Sequence, residues 1–128
     1  MLKMQTKILF LCGSIEPGKN GVGDYARRLA GELIRKGHKV HILSLCDQHV
    51  NSFLQDCQLA DNTPVLVSRI PRATSHNERL TLTREVLQNE MPDWVSLHYV
   101  PYSFNPKGMP FWFPNFLKKI KGTHHWHI

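Results

Sequence analysis

The spacing of apolar residues changes period several times along the chain, and each change marks an element. Lys7-Ile-Leu-Phe-Leu-Cys12 is an unbroken apolar run closed by Gly13, the pattern of a strand covered on both faces of a parallel sheet. From Gly23 the period becomes helical: Val22, Tyr25, Ala26, Leu29, Leu33 and Ile34 recur at three and four residues and form one stripe. Asp24 stands in the first turn, Arg35 and Lys36 in the last, and Gly37 follows as a residue suited to reversing the chain. Lys39-Val-His-Ile-Leu-Ser-Leu45 reads as a second strand. Strand, helix and strand within about forty residues make a right-handed βαβ unit.

Further along, His49 to Cys57 is read as a short helix, and Pro64-Val-Leu-Val-Ser-Arg-Ile70 as a third strand ended by Pro71. Asn77 to Met91 carries Leu80, Thr83, Val86, Leu87 and Met91 on one helical face, and Pro92 stops it. Asp93 to Val100 is a fourth strand, Phe111 to Lys121 a helix, and His125 to Ile128 the opening of a fifth strand. Alternating strands and helices predict an α/β fold with a doubly wound, mostly parallel, Rossmann-like sheet, as one domain over residues 1–128. Ligands of such sheets bind beyond the carboxyl ends of the strands. The loops of interest are therefore 13–24, 46–49, 71–76 and 101–110.

Composition narrows the function classes. Apolar residues make up 41% of the 128 positions and come in blocks, which excludes a disordered chain. The longest apolar run is far short of the ~20 residues that a membrane-spanning helix needs. Cys12, Cys46 and Cys57 lack CxxC spacing, and MLKMQTK leads into the first strand without the apolar core of an export signal. Both point to a reduced, cytoplasmic protein. The net charge of +6 attracts polyanions, phosphorylated ligands and anionic membranes alike. No aromatic RNA-binding motif, zinc-finger spacing or long basic run accompanies it, so nucleic acid is not an expected partner. Phe111, Trp112, Phe113 and Phe116 are read as core in preference to an aromatic sugar platform, and Lys118, Lys119 and Lys121 beside them keep peripheral membrane contact compatible with the charge.

The glycine loop admits three chemistries. Gly13-Ser-Ile-Glu-Pro-Gly18-Lys19 matches GxxxxGK, but Asn20 stands where magnesium chemistry needs Ser or Thr. Gly21-Val-Gly23-Asp-Tyr-Ala26 matches the dinucleotide fingerprint GxGxxA, with Asp47 placed after the second strand as a ribose ligand. Against it, the first glycine should turn directly off the strand, whereas a long segment separates Cys12 from Gly21. The third reading asks only that a loop of small residues deliver backbone N–H groups at a helix N-terminus, which makes a site for a phosphate or a sugar. His124, His125 and His127 lack neighbouring cysteines or carboxylates, so neither a metal nor another cofactor is expected.

KILFLCGSIEPGKNGVGDYARRLAGELIRKGHKVHILSL resembles the first βαβ unit of the GT-B retaining glycosyltransferases of family 4 type. The segment Trp94-Val-Ser-Leu-His-Tyr-Val-Pro-Tyr-Ser-Phe, followed by Lys107-Gly108-Met-Pro, resembles the fourth strand and its loop in one branch of that family. The resemblance implies sugar transfer from a nucleotide-sugar donor to an acceptor hydroxyl, the acceptor being a sugar or lipid-linked, with retention of configuration. It implies that this chain is the N-terminal, acceptor-side half of a GT-B fold. Gly21, Val22, Gly23, Asp24 and Tyr25 would border the cleft near the donor diphosphate, and Tyr99, Tyr102 and Phe104 would face the acceptor. Catalytic residues are not assigned. Many members carry a cleft-facing histidine near the end of that strand. Aligned on Pro101, its place is taken by Tyr99, and His98 on the opposite face is expected to be packed. The family grips its nucleotide mainly with a second Rossmann-like domain, absent from these 128 residues, so the chain alone is expected to be an inactive, incomplete part of such an enzyme. The alternatives are a non-catalytic nucleotide- or sugar-phosphate-binding domain and part of a dinucleotide-dependent enzyme.

Overall fold

Alternation along a single strand sorts the core into two layers. The first strand, β1 (Lys7–Cys12), sends Leu9 and Leu11 to one side of a sheet and Phe10 and Cys12 to the other, all of them buried. The fold is a computed structural model that describes residues 5–98, 112–120, 122 and 124–127. After β1 follow α1 (Gly21–Arg35), β2 (Lys39–Asp47), β3 (Leu54–Ala60), β4 (Thr63–Pro71), α2 (His76–Glu90), β5 (Trp94–Leu97), α3 (Phe113–Ile120) and β6 (His125–His127). The strands form one sheet in the order β3-β4-β2-β1-β5-β6, parallel throughout except for β3, which runs antiparallel to β4. This is a mostly parallel, Rossmann-like α/β fold.

One layer holds α1 against Phe10, Ile42, Val65 and Val67. The other holds α2 and α3 against Leu9, Leu11, Leu43, Leu45 and Val95. Phe113 and Phe116 of α3 are buried here, so these two aromatics serve the core, while Lys118 and Lys119 stay exposed. Among the described residues no helix is long and apolar enough to cross a membrane.

Several boundaries move from their expected places, the strand expected over 93–100 forming over Trp94–Leu97 with 99–100 outside the described residues, and one element changes type. Helix α1 starts at Gly21 rather than Gly23, because the Asn20 side chain accepts the Gly23 N–H at 2.9 Å and caps the helix there. Strand β2 continues to Asp47. The helix expected over His49 to Cys57 is not formed; Leu54–Ala60 is a strand. Asp61 and Asn62, with φ of 48° and 71°, make a two-residue turn of the kind that matches hairpin twist, and β4 supplies the ladder partners. Helix α2 is capped by Ser75, whose side chain accepts the Glu78 N–H, and it ends at Met91 in the left-handed region (φ 44°), just ahead of Pro92.

Arg79 locks α2 to the sheet. Its guanidinium, almost wholly buried, donates to the carbonyls of Leu45 (2.7 Å), Pro71 (3.3 Å) and Arg72 (2.9 Å), and lies 5.1 Å from the Trp112 ring centroid. Leu45 lies near the end of β2, Pro71 closes β4 and Arg72 follows it, so one cation gathers the carboxyl ends of two strands beneath a helix.

On the other layer the approach of α1 to the β3–β4 hairpin is set by Gly31. A Cβ there would stand 2.7 Å from the Ala60 Cβ, while Arg35 donates to Ala60 O (3.1 Å) and Thr63 Oγ1 (2.6 Å). Gly31→Val therefore has to push α1 off the hairpin. Thermal unfolding of that variant is expected to show a loss of about 1–3 kcal/mol; an unchanged midpoint would refute the close contact.

Candidate functional site

The loop between β1 and α1 is shaped by a buried carboxylate. Asp47, at the carboxyl end of β2, is fully buried and accepts from the Ile15 N–H (3.2 Å), the His49 N–H (3.0 Å), Ser14 Oγ (3.3 Å) and Ser44 Oγ (3.1 Å). Arg69 of β4 adds two donors, Nε at 2.9 Å and Nη2 at 3.2 Å, and its Nη2 also reaches Glu16 Oε1 at 2.7 Å. Burial alone would raise the Asp47 pKa; the Arg69 guanidinium and the two backbone N–H groups outweigh it and hold the carboxyl below the usual carboxylate range. Burial would lower the Arg69 pKa, but the Asp47 and Glu16 carboxylates outweigh it and hold it above its ordinary value. Asp47 is thus turned inward and fully engaged. The dinucleotide alternative needs Asp47 open to a ribose hydroxyl, and a carboxylate closed in by these donors has none of its surface left for one.

The second half of the loop is held from the helix. Gly18, in the left-handed region at φ 76°, donates its N–H to Asp24 Oδ1 at 3.0 Å, and Arg27 Nη2 pairs with the same carboxylate oxygen. Burial would raise the Asp24 pKa, but the Gly18 N–H and Arg27 hold it below its ordinary value. Arg27 Nη1 continues to Ile15 O (3.4 Å) and Gln58 Oε1 (2.8 Å). Asp24 therefore borders the loop as a brace.

The Gly21–Tyr25 segment comes together at the N-terminus of α1, and each residue there has a distinct surrounding. A Cβ on Gly23 would lie 2.5 Å from the Ser14 carbonyl oxygen, so this glycine permits the first helical turn to sit directly on the loop. A Cβ on Gly21 would meet nothing within 4 Å, so that position opens outward. The Gly23 and Asp24 N–H groups are taken by the Asn20 side chain and carbonyl. Those of Gly21 and Val22 precede the first intrahelical acceptor and point out of the helix end. Tyr25 is 61% exposed, with its ring 6.3 Å from His98. Tyr99, Tyr102 and Phe104 lie outside the described residues.

His98 sits at this same edge, just beyond β5. Its N–H donates to Leu11 O at 2.8 Å, its ring packs 4.5 Å from the Phe10 centroid, and its Nε2 lies 3.3 Å from Ser96 Oγ. Ser96 Oγ in turn lies 3.0 Å from His127 Nδ1 of β6. Burial, and then the neighbouring His127, lower the His98 pKa and favour its neutral ring. The imidazole is packed, as expected, yet it also stands beside Tyr25 at the helix end. Sequence reasoning missed this Ser96–His98–His127 line because it exists only through the β5–β6 register that sets Ser96 against His127. Among the described residues no group of three His, Cys, Asp or Glu side chains could hold a metal ion.

What the arrangement can do follows from these parts. The outward N–H groups of Gly21 and Val22, with the positive end of a 15-residue helix behind them, suit an anionic or hydroxyl-rich ligand. Tyr25 and a neutral imidazole form the wall beside them.

Because the folded Asp47 carboxyl titrates below its unfolded value near 3.9, its contribution to stability is complete above that pH and is lost as pH falls through the folded pKa. Acid titration of unfolding free energy is expected to fall more steeply below about pH 4 for the parent chain than for Asp47→Asn. Asp47→Ala, which leaves the buried Arg69 with Glu16 as its one remaining carboxylate partner, is expected to cost about 3 kcal/mol at neutral pH by denaturant unfolding; a cost within error of zero would remove Asp47 from the centre of the loop. Set against known proteins, the chain is matched by no protein-family model and by no curated protein.

Proposed function

We propose that this chain is the N-terminal, acceptor-side domain of a GT-B retaining glycosyltransferase, which transfers a sugar from a nucleotide-sugar to an acceptor hydroxyl. The observation that carries the proposal is the braced loop that brings the N-terminus of α1, with Gly21 exposed, to the carboxyl edge of β1 and β5, beside Tyr25 and His98. In that role the Gly21 and Val22 N–H groups and the α1 dipole support negative charge developing on the leaving diphosphate. Gly23 lets the helix end come close, and Asp24 keeps the loop in place through Gly18. Tyr25, with Tyr99 and Tyr102, shapes the acceptor side. The +6 charge favours a diphosphate donor or an anionic membrane that carries a lipid-linked acceptor.

A second reading, a nucleotide- or sugar-phosphate-binding domain without catalysis, draws on the same helix end and differs in where the binding energy resides. In the glycosyltransferase reading a second Rossmann-like domain supplies most of the donor affinity, so the present chain holds the donor weakly. A dinucleotide enzyme is disfavoured by the closed environment of Asp47.

Titration of UDP-glucose and GDP-mannose into the 128-residue chain, followed by amide NMR, separates the readings. The glycosyltransferase reading expects shifts confined to Gly21, Val22 and their neighbours, a Kd of about 1 mM or weaker, and no nucleotide-sugar hydrolysis. Micromolar donor binding without turnover would favour the binding module, and micromolar NAD or ATP binding would overturn both in favour of a glycine-motif rival.

A further inference from the structure

Strand β3 ends the sheet, with β4 on one side and no further strand among the described residues on the other. The two-residue turn at Asp61 and Asn62 is flanked by the pair Ala60 and Thr63. In such a hairpin the flanking pair exchanges its N–H and C=O groups. Ala60, Gln58, Asp56 and Leu54 then turn their backbone polar groups to β4, while Leu59, Cys57 and Gln55 turn theirs outward. The Cys57 N–H agrees: its acceptor is Asp56 Oδ1 of its own strand, at 2.7 Å.

Edge strands that must stay single are ordinarily blocked by charged side chains, Lys above all, by Pro, a bulge or a covering element, and β3 carries one charge, Asp56. Leu54-Gln-Asp-Cys-Gln-Leu-Ala60 contains neither Lys nor Pro, its register with β4 runs without a shift, and all but Gln58 and Ala60 are exposed. Leu59 is 65% and Leu66, beside Cys57 on β4, 42% exposed on one face of this edge.

We infer that two copies of this chain pair through β3, antiparallel, about a twofold axis that passes at Cys57, joining two sheets into one. The strand itself selects the axis. Cys57 is its middle residue, so this register pairs every residue of β3. An axis at Asp56 would oppose two carboxylates, and one at Gln58 would leave Leu54 without a partner. With the axis at Cys57, Asp56 stands opposite Gln58 of the partner subunit. The Gln58 Oε1 is already held by Arg27, which turns the amide NH₂ toward the approaching carboxylate and places a cation behind it. Leu54 meets the partner's Ala60, and a partner carbonyl replaces Asp56 as acceptor for the Cys57 N–H.

The dyad has a chemical readout. Cα atoms of a hydrogen-bonded antiparallel pair stand about 5.5 Å apart, within disulfide range. Cys57 is exposed, whereas burial pushes the thiols of Cys12 and Cys46 up to about 12 and about 11. Diamide, which accepts the two electrons and two protons released by a pair of thiols, is thus expected to give a Cys57–Cys57 dimer on a non-reducing gel. Sedimentation of the reduced chain is expected to show a monomer–dimer equilibrium with a Kd of about 10–100 μM, as suits a small interface. Cys57→Ser should abolish the crosslink and keep the equilibrium. Asp56→Lys, which sets a cation against the Gln58–Arg27 pair, should weaken the dimer at least about tenfold. A monomer at all concentrations, a dimer indifferent to Asp56→Lys, or a crosslink that survives Cys57→Ser would each overturn the inference.

Discussion

The candidate site depends on the buried pair of Asp47 and Arg69. A carboxylate at the carboxyl end of a parallel strand is removed from water only if donors surround it, and here they come from the neighbouring strand, from the loop after β1 and from the residues that follow β2 itself. The cost of desolvating both charges is offset only while all these partners are present together. The pair therefore selects one arrangement of the 13–20 loop, because any other leaves a buried charge short of bonds. The start of α1, the seat for Gly23 and the placement of Gly18 against Asp24 follow from that arrangement.

A helix end becomes a binding site only when its donors are neither buried nor already satisfied. The chain spends the third and fourth N–H groups of α1 on Asn20 and leaves the first two facing out. The loop beneath is tied from both sides, by Asp47 through Ile15 and by Asp24 through Gly18. Such a site is preorganised: little ordering entropy remains to be lost when an anion arrives. This is the physical content of the glycosyltransferase proposal, and it is shared with any phosphate-bearing ligand of similar reach.

The elements that were legible in the sequence are those with an uninterrupted pattern. The apolar runs of β1, β2 and β4 announce themselves because each is buried over most of its length, and α1 because one stripe of it faces the core. Leu54–Ala60 alternates nothing useful, since an exposed edge strand has no apolar face to keep, and its surviving signal was the Asp61-Asn62 turn between two extended segments. At the site, the Gly21–Tyr25 cluster was legible as glycine spacing before a helix. The role of Asp47 was not, because its partners at 14, 15, 49 and 69 converge only in three dimensions. Gly23 was read as a cleft residue, and its tight contact with the Ser14 carbonyl became visible only with the loop in place.

The two arginine anchors at the carboxyl ends of β2 and β4 answer to different variables. Arg69 works through carboxylates, which protons can neutralise; Arg79 works through main-chain carbonyls, which they do not. The loop over β1 and the turn into α2 are therefore thermodynamically separable, although they lie side by side. Acid that neutralises Asp47 acts on the loop over β1 and leaves the Arg79–carbonyl contacts chemically unchanged.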